Sequence, residues 1–262
     1  MKKGKKLYEG KAKIIYSTSD KNLVIQYFKD DATAFNNEKR TTIEGKGVLN
    51  NRISEYILTN LSQIGIENHL VKRLNMREQL IKKAEIFPIE FIVRNIATGS
   101  LTKRLGIPEG TVLDKPLLEY CYKKDELNDP LISKEHIFSF DWATENEIQT
   151  IDKMTLRIND LLTGIFRGIG IKLVDFKVEY GKTWNKEMEK KEIVLADEIS
   201  PDTCRLWDVK TEKKLDKDRL RPTDITLQIP DTTKFRHEFA WTPMKNLTNI
   251  CEDLLDYWRK NI

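Results

Sequence analysis

The segment Leu173-Val174-Asp175-Phe176-Lys177-Val178-Glu179-Tyr180 decides how this chain of 262 residues folds. Its apolar and charged residues alternate, and successive side chains of a β-strand point to opposite faces. The alternation therefore predicts a strand with two different faces. The face that packs into a core carries Phe176, Val178 and Tyr180. The opposite face carries Asp175, Lys177 and Glu179.

A second acidic segment follows this strand. Asp197 and Glu198 come near the end of a second predicted strand at residues 192–199, after a lysine-rich stretch, 181–191, that reads as a solvated loop. If the two strands form a hairpin, Glu179 and Asp197 come close enough to share one Mg²⁺, which prefers carboxylate oxygens. The alternative is a solvated sheet face with compensating charges, which is the commoner outcome for such a strand taken alone.

Outward from these strands, the chain alternates between blocks of strands and blocks of helices, which is typical of an α+β fold. Further strands are predicted at residues 7–9, 14–16, 23–28, 80–81 and 89–93. Apolar residues spaced three and four apart predict helices from Leu49 to Gly65 and from Glu145 to about Phe166. Another helix is predicted from about Met244 to Trp258.

Two further segments could bind anions. Gly10-Lys11-Ala12-Lys13 lies between two predicted strands, where backbone amides and lysines could cover a polyphosphate; a plain basic turn is the simpler alternative. Arg94 and Ser100 flank a turn after an apolar strand and could cradle a phosphate, and a surface arginine before a turn is an equally good interpretation. Arg205 could be a second anion anchor, and the neighbouring Cys204 is expected to be a packing residue.

Composition excludes several classes of protein. The net charge is +4, from 45 basic and 41 acidic residues, and apolar residues make up 39% of the chain, which is enough for a core. No apolar run reaches the length of a membrane span, and the basic N-terminus lacks the apolar part of a secretory signal. Three widely separated cysteines indicate free thiols in a reducing compartment, and we expect a cytoplasmic protein.

Taken together, the motifs resemble the SAICAR synthetase family, the phosphoribosylaminoimidazole-succinocarboxamide synthases of purine biosynthesis. The resemblance runs in order from about Leu7 to Arg221. It is carried by residues 8–13, Lys46-Gly47-x-x-Asn50, 87–94 with Thr98-Gly99-Ser100, 173–181, 196–202 and 216–219.

The resemblance implies a fold of two lobes with ATP in the cleft between them. Residues 1–86 would form a small antiparallel, β-rich, ATP-binding lobe, and residues 87–262 a larger α+β lobe for the substrate and the metal. Bacterial members of the family are often homodimers. The implied partners are therefore small-molecule substrates and a second copy of the chain, with no nucleic acid and no membrane.

The resemblance also implies a reaction. ATP, carboxyaminoimidazole ribonucleotide (CAIR) and L-aspartate would give SAICAR, ADP and phosphate through an acyl phosphate. The implied catalytic residues are Lys11, Lys13, Lys177 and Asp175. The implied ATP-binding residues are Gly10, Lys11, Ala12, Lys13, Ile15, Ile86, Glu179 and Asp197, and Glu179 and Asp197 would also bind Mg²⁺. The implied substrate-binding residues are Arg94, Ser100, Asp202 and Arg205. Residues 30–36 are a candidate wall of the aspartate site.

The sequence departs from the family pattern in three places. Tyr180 stands where Phe is usual, residues 182–191 look long and are expected at the surface, and residues 222–242 show no resemblance. The alternative functions are another ATP-dependent carboxylate–amine ligase, a small-molecule kinase, an RNA-binding protein and a non-catalytic interaction module. The first two would not need Arg94, Ser100 and Arg205, and an RNA-binding protein would show basic clusters with a recognisable RNA-binding motif.

Overall fold

The structure is a computed structural model that describes residues 2–34, 39–185 and 189–215. The helix predicted at residues 244–258, the stretch 222–242 and the motif at 216–219 lie outside the described residues. Within those residues, no helix is both long and apolar enough to cross a lipid bilayer.

The N-terminal strands form a five-stranded antiparallel sheet and a separate two-stranded one. They are β1 (Lys6–Glu9), β2 (Lys13–Ser17), β3 (Leu23–Phe28), β4 (Asp31–Ala34), β5 (Lys39–Thr42), β6 (Leu70–Arg73) and β7 (Glu78–Lys82). Strands β1, β2, β3, β7 and β6 pair in that order, and β4 pairs with β5. The turn between β1 and β2 contains Gly10-Lys11-Ala12, so the predicted hairpin with a basic tip is confirmed.

The second antiparallel sheet is built around one long central strand. Its strands are β8 (Glu85–Ile96), β9 (Val112–Tyr122), β10 (Leu131–Ile132), β11 (Ile171–Asn185), β12 (Lys190–Ala196) and β13 (Cys204–Asp208). Strand β11 pairs with β8 along one edge and with both β12 and β13 along the other. The segment Leu173–Tyr180 therefore lies at the centre of the larger sheet.

The helices pack around these two sheets. They are α1 (Lys46–Gln63), α2 (Ser100–Leu105), α3 (Lys134–Ser139) and α4 (Glu145–Gly168), with a short 3₁₀ turn at Asp125–Leu127. Thr144 and Glu147 form a capping box that starts α4, since each side chain bonds the other's backbone N–H. Both long helices predicted from apolar spacing are confirmed.

The main core lies between α1, α4 and the second sheet. On β11 it takes up the apolar face predicted from the alternation, Phe176, Val178 and Tyr180, all at most 2% exposed. Ile151 and Ile158 of α4 belong to the same core, as does Leu58 of α1. Burial of each large side chain contributes about 1.5–3 kcal/mol, so this face anchors β11 firmly.

The structure differs from the sequence prediction at one connection and in several additional strands. Residues 181–191 were expected to be a solvated loop, but β11 continues to Asn185 and β12 begins at Lys190. The charges on this extension are held by ion pairs, Lys182 with Glu147 and Lys191 with Glu85. The sequence pattern does not predict strands β4, β5, β6, β9, β10 and β13.

Candidate active site

A cleft of about 730 Å³ lies where the β1–β2 turn faces the acidic residues of β11 and of the segment after β12. Lysines and carboxylates dominate its walls. It brings together eight residues implied by the resemblance: Gly10, Lys11, Ala12, Lys13, Lys177, Glu179, Asp197 and Asp202. It also contains residues that the sequence did not single out as site residues: Glu90, Lys123, Asp125 and Asp129.

The charged face of β11 is not a solvated surface. Asp175 is 6% exposed and Glu179 is 7% exposed, while Lys177 extends into the cleft. The alternative of a solvated face with compensating charges is therefore wrong for these two carboxylates. Burying a carboxylate is costly unless it is paired, so each must have a charged partner.

Glu179 and Asp197 come together through the hairpin of β11 and β12. Glu179 pairs with Ala196 across the two strands, and Asp197 is the next residue along. Asp197 has a left-handed backbone with a φ of 61°, a conformation that is costly for a residue with a side chain. Lys13 bonds Asp197 and also lies 3.1 Å from Glu198, and Lys123 bonds Glu179.

Burial and neighbouring charges shift the pKa values of Glu179, Asp197 and Lys13. Burial raises the pKa of Glu179, and the nearby charge of Asp197 raises it further, against the opposing effect of Lys123. Burial also acts to raise the pKa of Asp197, but the charge and hydrogen bond of Lys13 outweigh it and lower that pKa. Burial acts to lower the pKa of Lys13, and the charges of Asp197 and Glu198 more than reverse this. Each of the two carboxylates is therefore bonded to a lysine, and the two carboxylates repel each other.

The remaining cleft lysines are also paired. Lys177 Nζ lies 2.5 Å from Glu90 Oε1, and Lys11 Nζ lies 2.8 Å from Asp125 Oδ1. Burial acts to lower the pKa of Lys177, but the charge of Glu90 outweighs it and raises that pKa. Glu90 is directly opposite Glu179 in the pairing of β8 with β11, so its place beside Lys177 follows from sheet register.

Next to the cleft, Arg94, Ser100 and Arg205 meet around Asp175. Arg94 and Arg205 lie opposite Asp175 on the two strands that flank β11. Asp175 Oδ2 accepts hydrogen bonds from Arg94 at 3.0 Å and from Arg205 at 2.9 Å, and Arg94 also donates to Ser100 Oγ at 3.0 Å. Arg94 is buried, so the interpretation as a surface arginine is wrong.

Gly99 is what allows Arg205 to approach this turn. Its φ is 58°, and a Cβ atom there would lie 2.8 Å from the Arg205 guanidinium. Glycine avoids both the strain and the clash. The structure thus places two guanidinium groups and one hydroxyl in a geometry that fits a phosphate.

Asp202 is held by the start of α1. Lys46 bonds Asp202, and Asn50 donates to Asp202 Oδ2 at 2.9 Å. The two contacts explain why the spacing Lys46-Gly47-x-x-Asn50 matters, since residues four apart lie on the same face of a helix.

Two residues expected at the adenine do not line the cleft. Ile15 is partly buried in β2, and Ile86 is exposed at the start of β8. Their assignment to ATP stays a prediction. Cys204 is buried, and burial raises the pKa of its thiol to about 12, as expected for a packing residue.

Comparison with known proteins identifies the family of this chain. Residues 6–234 match the model of the SAICAR synthetase family. The chain belongs to the SAICAR synthetase family. The match extends past Arg221, so the expectation that residues 222–242 show no resemblance to the family is wrong for residues 222–234.

Individual relatives are similar over most of their length. The chain is 75% identical over 234 residues to the phosphoribosylaminoimidazole-succinocarboxamide synthase of Pelagibacter ubique, which covers 89% of each chain. The crystal structure of the Ehrlichia chaffeensis synthase is 52% identical, with a TM-score of 0.79, over 82% of this chain and 90% of that one. A SAICAR synthetase solved in complex with ADP is 38% identical, with a TM-score of 0.77, over 95% and 96%.

These SAICAR synthetase structures confirm the α+β, two-lobed fold expected from the sequence. Tyr180, the residue expected to depart from the family pattern, lies in the main core. Its ring is fully buried, and its hydroxyl lies 2.7 Å from Thr155 Oγ1 of α4. The extra oxygen is therefore satisfied by a hydrogen bond.

Proposed function

We propose that this chain is an ATP-dependent carboxylate–amine ligase that condenses CAIR with L-aspartate to give SAICAR, ADP and phosphate. Membership of the SAICAR synthetase family and the name of the 75% identical relative support this function. The ADP bound to a 38% identical family member supports ATP as the phosphoryl donor.

The single observation that carries the proposal is the link from the cleft to the Arg94–Ser100–Arg205 cluster along β11. Lys177 and Glu179 face the cleft, and Asp175 of the same strand face holds the two arginines. A ligand that spans both places needs a phosphate at one end and a group to be phosphorylated at the other. CAIR has both, as a 5′-phosphate and an imidazole carboxylate.

The chemistry proceeds in two balanced steps. An oxygen of the CAIR carboxylate attacks the γ-phosphorus of ATP, the bond to the β,γ-bridging oxygen breaks, and ADP leaves. The aspartate amine then attacks the carbonyl carbon of the acyl phosphate, the amine loses a proton, and inorganic phosphate leaves. Both steps depend mainly on positioning and on neutralising charge, which Lys11, Lys13 and Lys177 are placed to do.

The residues present also fit Mg²⁺. Glu179 and Asp197 are adjacent oxygen donors, and Mg²⁺ is commonly bound by one or two carboxylates together with substrate phosphates and water. In residues 2–34, 39–185 and 189–215, no three His, Cys, Asp or Glu side chains are grouped to hold a metal by themselves. When bound, the ion would neutralise charge on the ATP phosphates.

Three lysines that line the cleft are paired with carboxylates in this structure. Lys13 bonds Asp197, Lys123 bonds Glu179, and Lys11 bonds Asp125. We infer that these pairs separate when ATP and Mg²⁺ bind. The phosphates of ATP would then replace the carboxylates as partners of the lysines. Each lysine thereby stays compensated before and after binding.

The organisation of the protein forms part of the same proposal. Residues 1–86 would be the ATP-binding lobe and residues 87–262 the lobe for the substrate and the metal. Ile15 and Ile86 would lie near the adenine, and Asp202 near the substrate. The enzyme would act in the cytoplasm as a homodimer.

The test measures ADP release with Mg-ATP, CAIR and a panel of amino acids. Release that requires both CAIR and aspartate supports the proposal. Release with CAIR and a different amine, or phosphorylation of a substrate without any amine, would replace it with another ligase or a kinase.

A further inference from the structure

Glu119 of β9 is a buried carboxylate that lies beside the Arg94–Ser100–Arg205 cluster and does not line the cleft. It is 7% exposed. Its Oε2 accepts a hydrogen bond from Arg94 Nε at 2.6 Å, and its Oε1 bonds the guanidinium of Arg104. Both carboxylate oxygens are therefore bonded to arginines.

These bonds complete a ring of interactions beside the Arg94–Ser100–Arg205 cluster. Arg94 donates to Ser100, the first residue of α2, and Arg104 lies near the other end of the same helix. Glu119 joins Arg104 back to Arg94. Because the ring runs through α2, Glu119 holds Ser100 and Arg94 at a fixed separation.

Glu119 also fixes the plane of the Arg94 guanidinium. That group is planar and has five N–H donors. Glu119 accepts from Nε, Asp175 accepts from Nη1, and Ser100 accepts from Nη2. Two carboxylates on different nitrogens leave the plane no freedom to turn, and two donors are left over for a ligand.

The charge of the network favours an anion. The guanidinium groups of Arg94, Arg104 and Arg205 carry three positive charges, and Glu119 and Asp175 carry two negative charges. One positive charge is left uncompensated within this group, most of which is buried. A phosphate, which carries a charge of about −1.5 to −2 at pH 7, would be attracted by this excess positive charge.

We propose that Glu119 is a positioning residue that orients Arg94 and Ser100 for the 5′-phosphate of the ribonucleotide substrate. The identity of that substrate rests on the proposed function. The role itself predicts weaker binding of any ligand that presents a phosphate on a ribose. Fixing binding groups in advance improves affinity because less freedom is lost on binding.

The test compares three variants by steady-state kinetics. Glu119→Gln keeps the size but replaces one acceptor oxygen by a donor, which cannot accept from an arginine. We expect the KM for CAIR to rise about 10-fold or more, as for loss of one charged contact, with the KM for ATP within twofold. Glu119→Asp keeps the charge and should give a smaller rise of about threefold. Glu55→Gln is the matched control, because Glu55 Oε2 also bonds an arginine Nε, that of Arg73.

Calorimetric titration with ribose 5-phosphate, without ATP, separates this inference from the proposed function. Weaker binding by Glu119→Gln than by the wild type supports the positioning role even if CAIR is not turned over. If Glu119→Gln fails to fold, Glu119→Asp decides in the same two assays. Wild-type KM and affinity in the folded variants, equal rises in both KM values, or no binding of ribose 5-phosphate by the wild type would overturn the inference.

Discussion

Arg94 and Arg205 donate hydrogen bonds to the same oxygen atom, Asp175 Oδ2, from strands on opposite sides of β11. Two guanidinium groups this close repel each other unless a negative charge lies between them. Asp175 supplies that charge in a buried position. Asp175 therefore holds the two arginines of the Arg94–Ser100–Arg205 cluster together.

The first prediction concerns Arg205, which is less buried than Arg94 and can be changed with less damage. Arg205→Gln should raise the KM for CAIR about 10- to 100-fold, since a charge-assisted hydrogen bond contributes about 1.5–3 kcal/mol. The KM for ATP should stay within twofold. Steady-state kinetics with each substrate varied in turn measures both values.

Arg73→Gln is the control for this change, because Arg73 pairs with Glu55 away from the cleft. It should leave both KM values unchanged. Equal rises for CAIR and ATP in Arg205→Gln would mean that Arg205 supports the fold and does not bind phosphate.

The second prediction concerns the metal. Glu179→Gln removes one of two anionic ligands, so turnover should fall at least 10-fold and the Mg²⁺ concentration for half-maximal rate should rise. The measurement is initial rate against Mg²⁺ at fixed ATP. Glu192→Gln, on the same hairpin and bonded to Lys82, is the matched control. A variant with the wild-type Mg²⁺ dependence would refute the assignment of Glu179 to the metal.

The third prediction tests the charged face of β11. Lys177→Met keeps the length of the side chain but removes the ammonium group, so kcat should fall at least 100-fold while the protein stays folded. Lys172→Met is a matched control on the same strand, where Lys172 pairs with the exposed Glu212. Turnover near the wild-type level would show that Lys177 does not contact the phosphates.

The sequence predicts a contact well when the contact is local and poorly when it depends on which strands are neighbours. Alternation within β11 correctly separated Phe176 from Lys177 because a strand has a period of two residues. Glu90 reaches Lys177 only because β8 pairs with β11 in a particular register. Lys123 directly follows β9, a strand that contains Pro116 and three charged residues and so lacks the usual strand pattern.

The pairing of neighbouring strands also explains why much of residues 181–191, expected to be a loop, belongs to β11 and β12. A glycine followed by four lysines within eleven residues is typical of a loop. In the folded chain, each strand of the hairpin supplies the hydrogen bonds of the other, and Glu147 and Glu85 compensate Lys182 and Lys191. These acidic partners lie 35 and 106 residues away along the chain, taking 182 − 147 and 191 − 85, so a local pattern contains no trace of them.

The fourth prediction follows from the buried thiols. Burial raises the pKa of Cys121 to about 11 and that of Cys204 to about 12, so both stay protonated well above neutral pH. In a Cys251→Ser variant, a thiol reagent at pH 8 should label neither residue in the native protein and both in guanidinium chloride. Because the unfolded chain ionises these thiols first, their contribution to the free energy of unfolding should fall as the pH rises above about 9. Fast labelling of the native variant would contradict the burial of these two thiols.

The last prediction concerns Tyr180, the aromatic residue that departs from the family pattern. Thr155 donates its single hydroxyl proton to the carbonyl of Ile151 at 2.7 Å, so Tyr180 must donate to Thr155. Tyr180→Phe removes only that donor and should lower the free energy of unfolding by about 1 kcal/mol, the usual contribution of one hydrogen bond. Urea denaturation measures the change, and kcat should not move, because the hydroxyl faces α4 and not the cleft. The Tyr180→Phe, Thr155→Val double variant should be less destabilised than the sum of the single variants, since both changes remove the same bond. Strict additivity would show that the two hydroxyls do not interact.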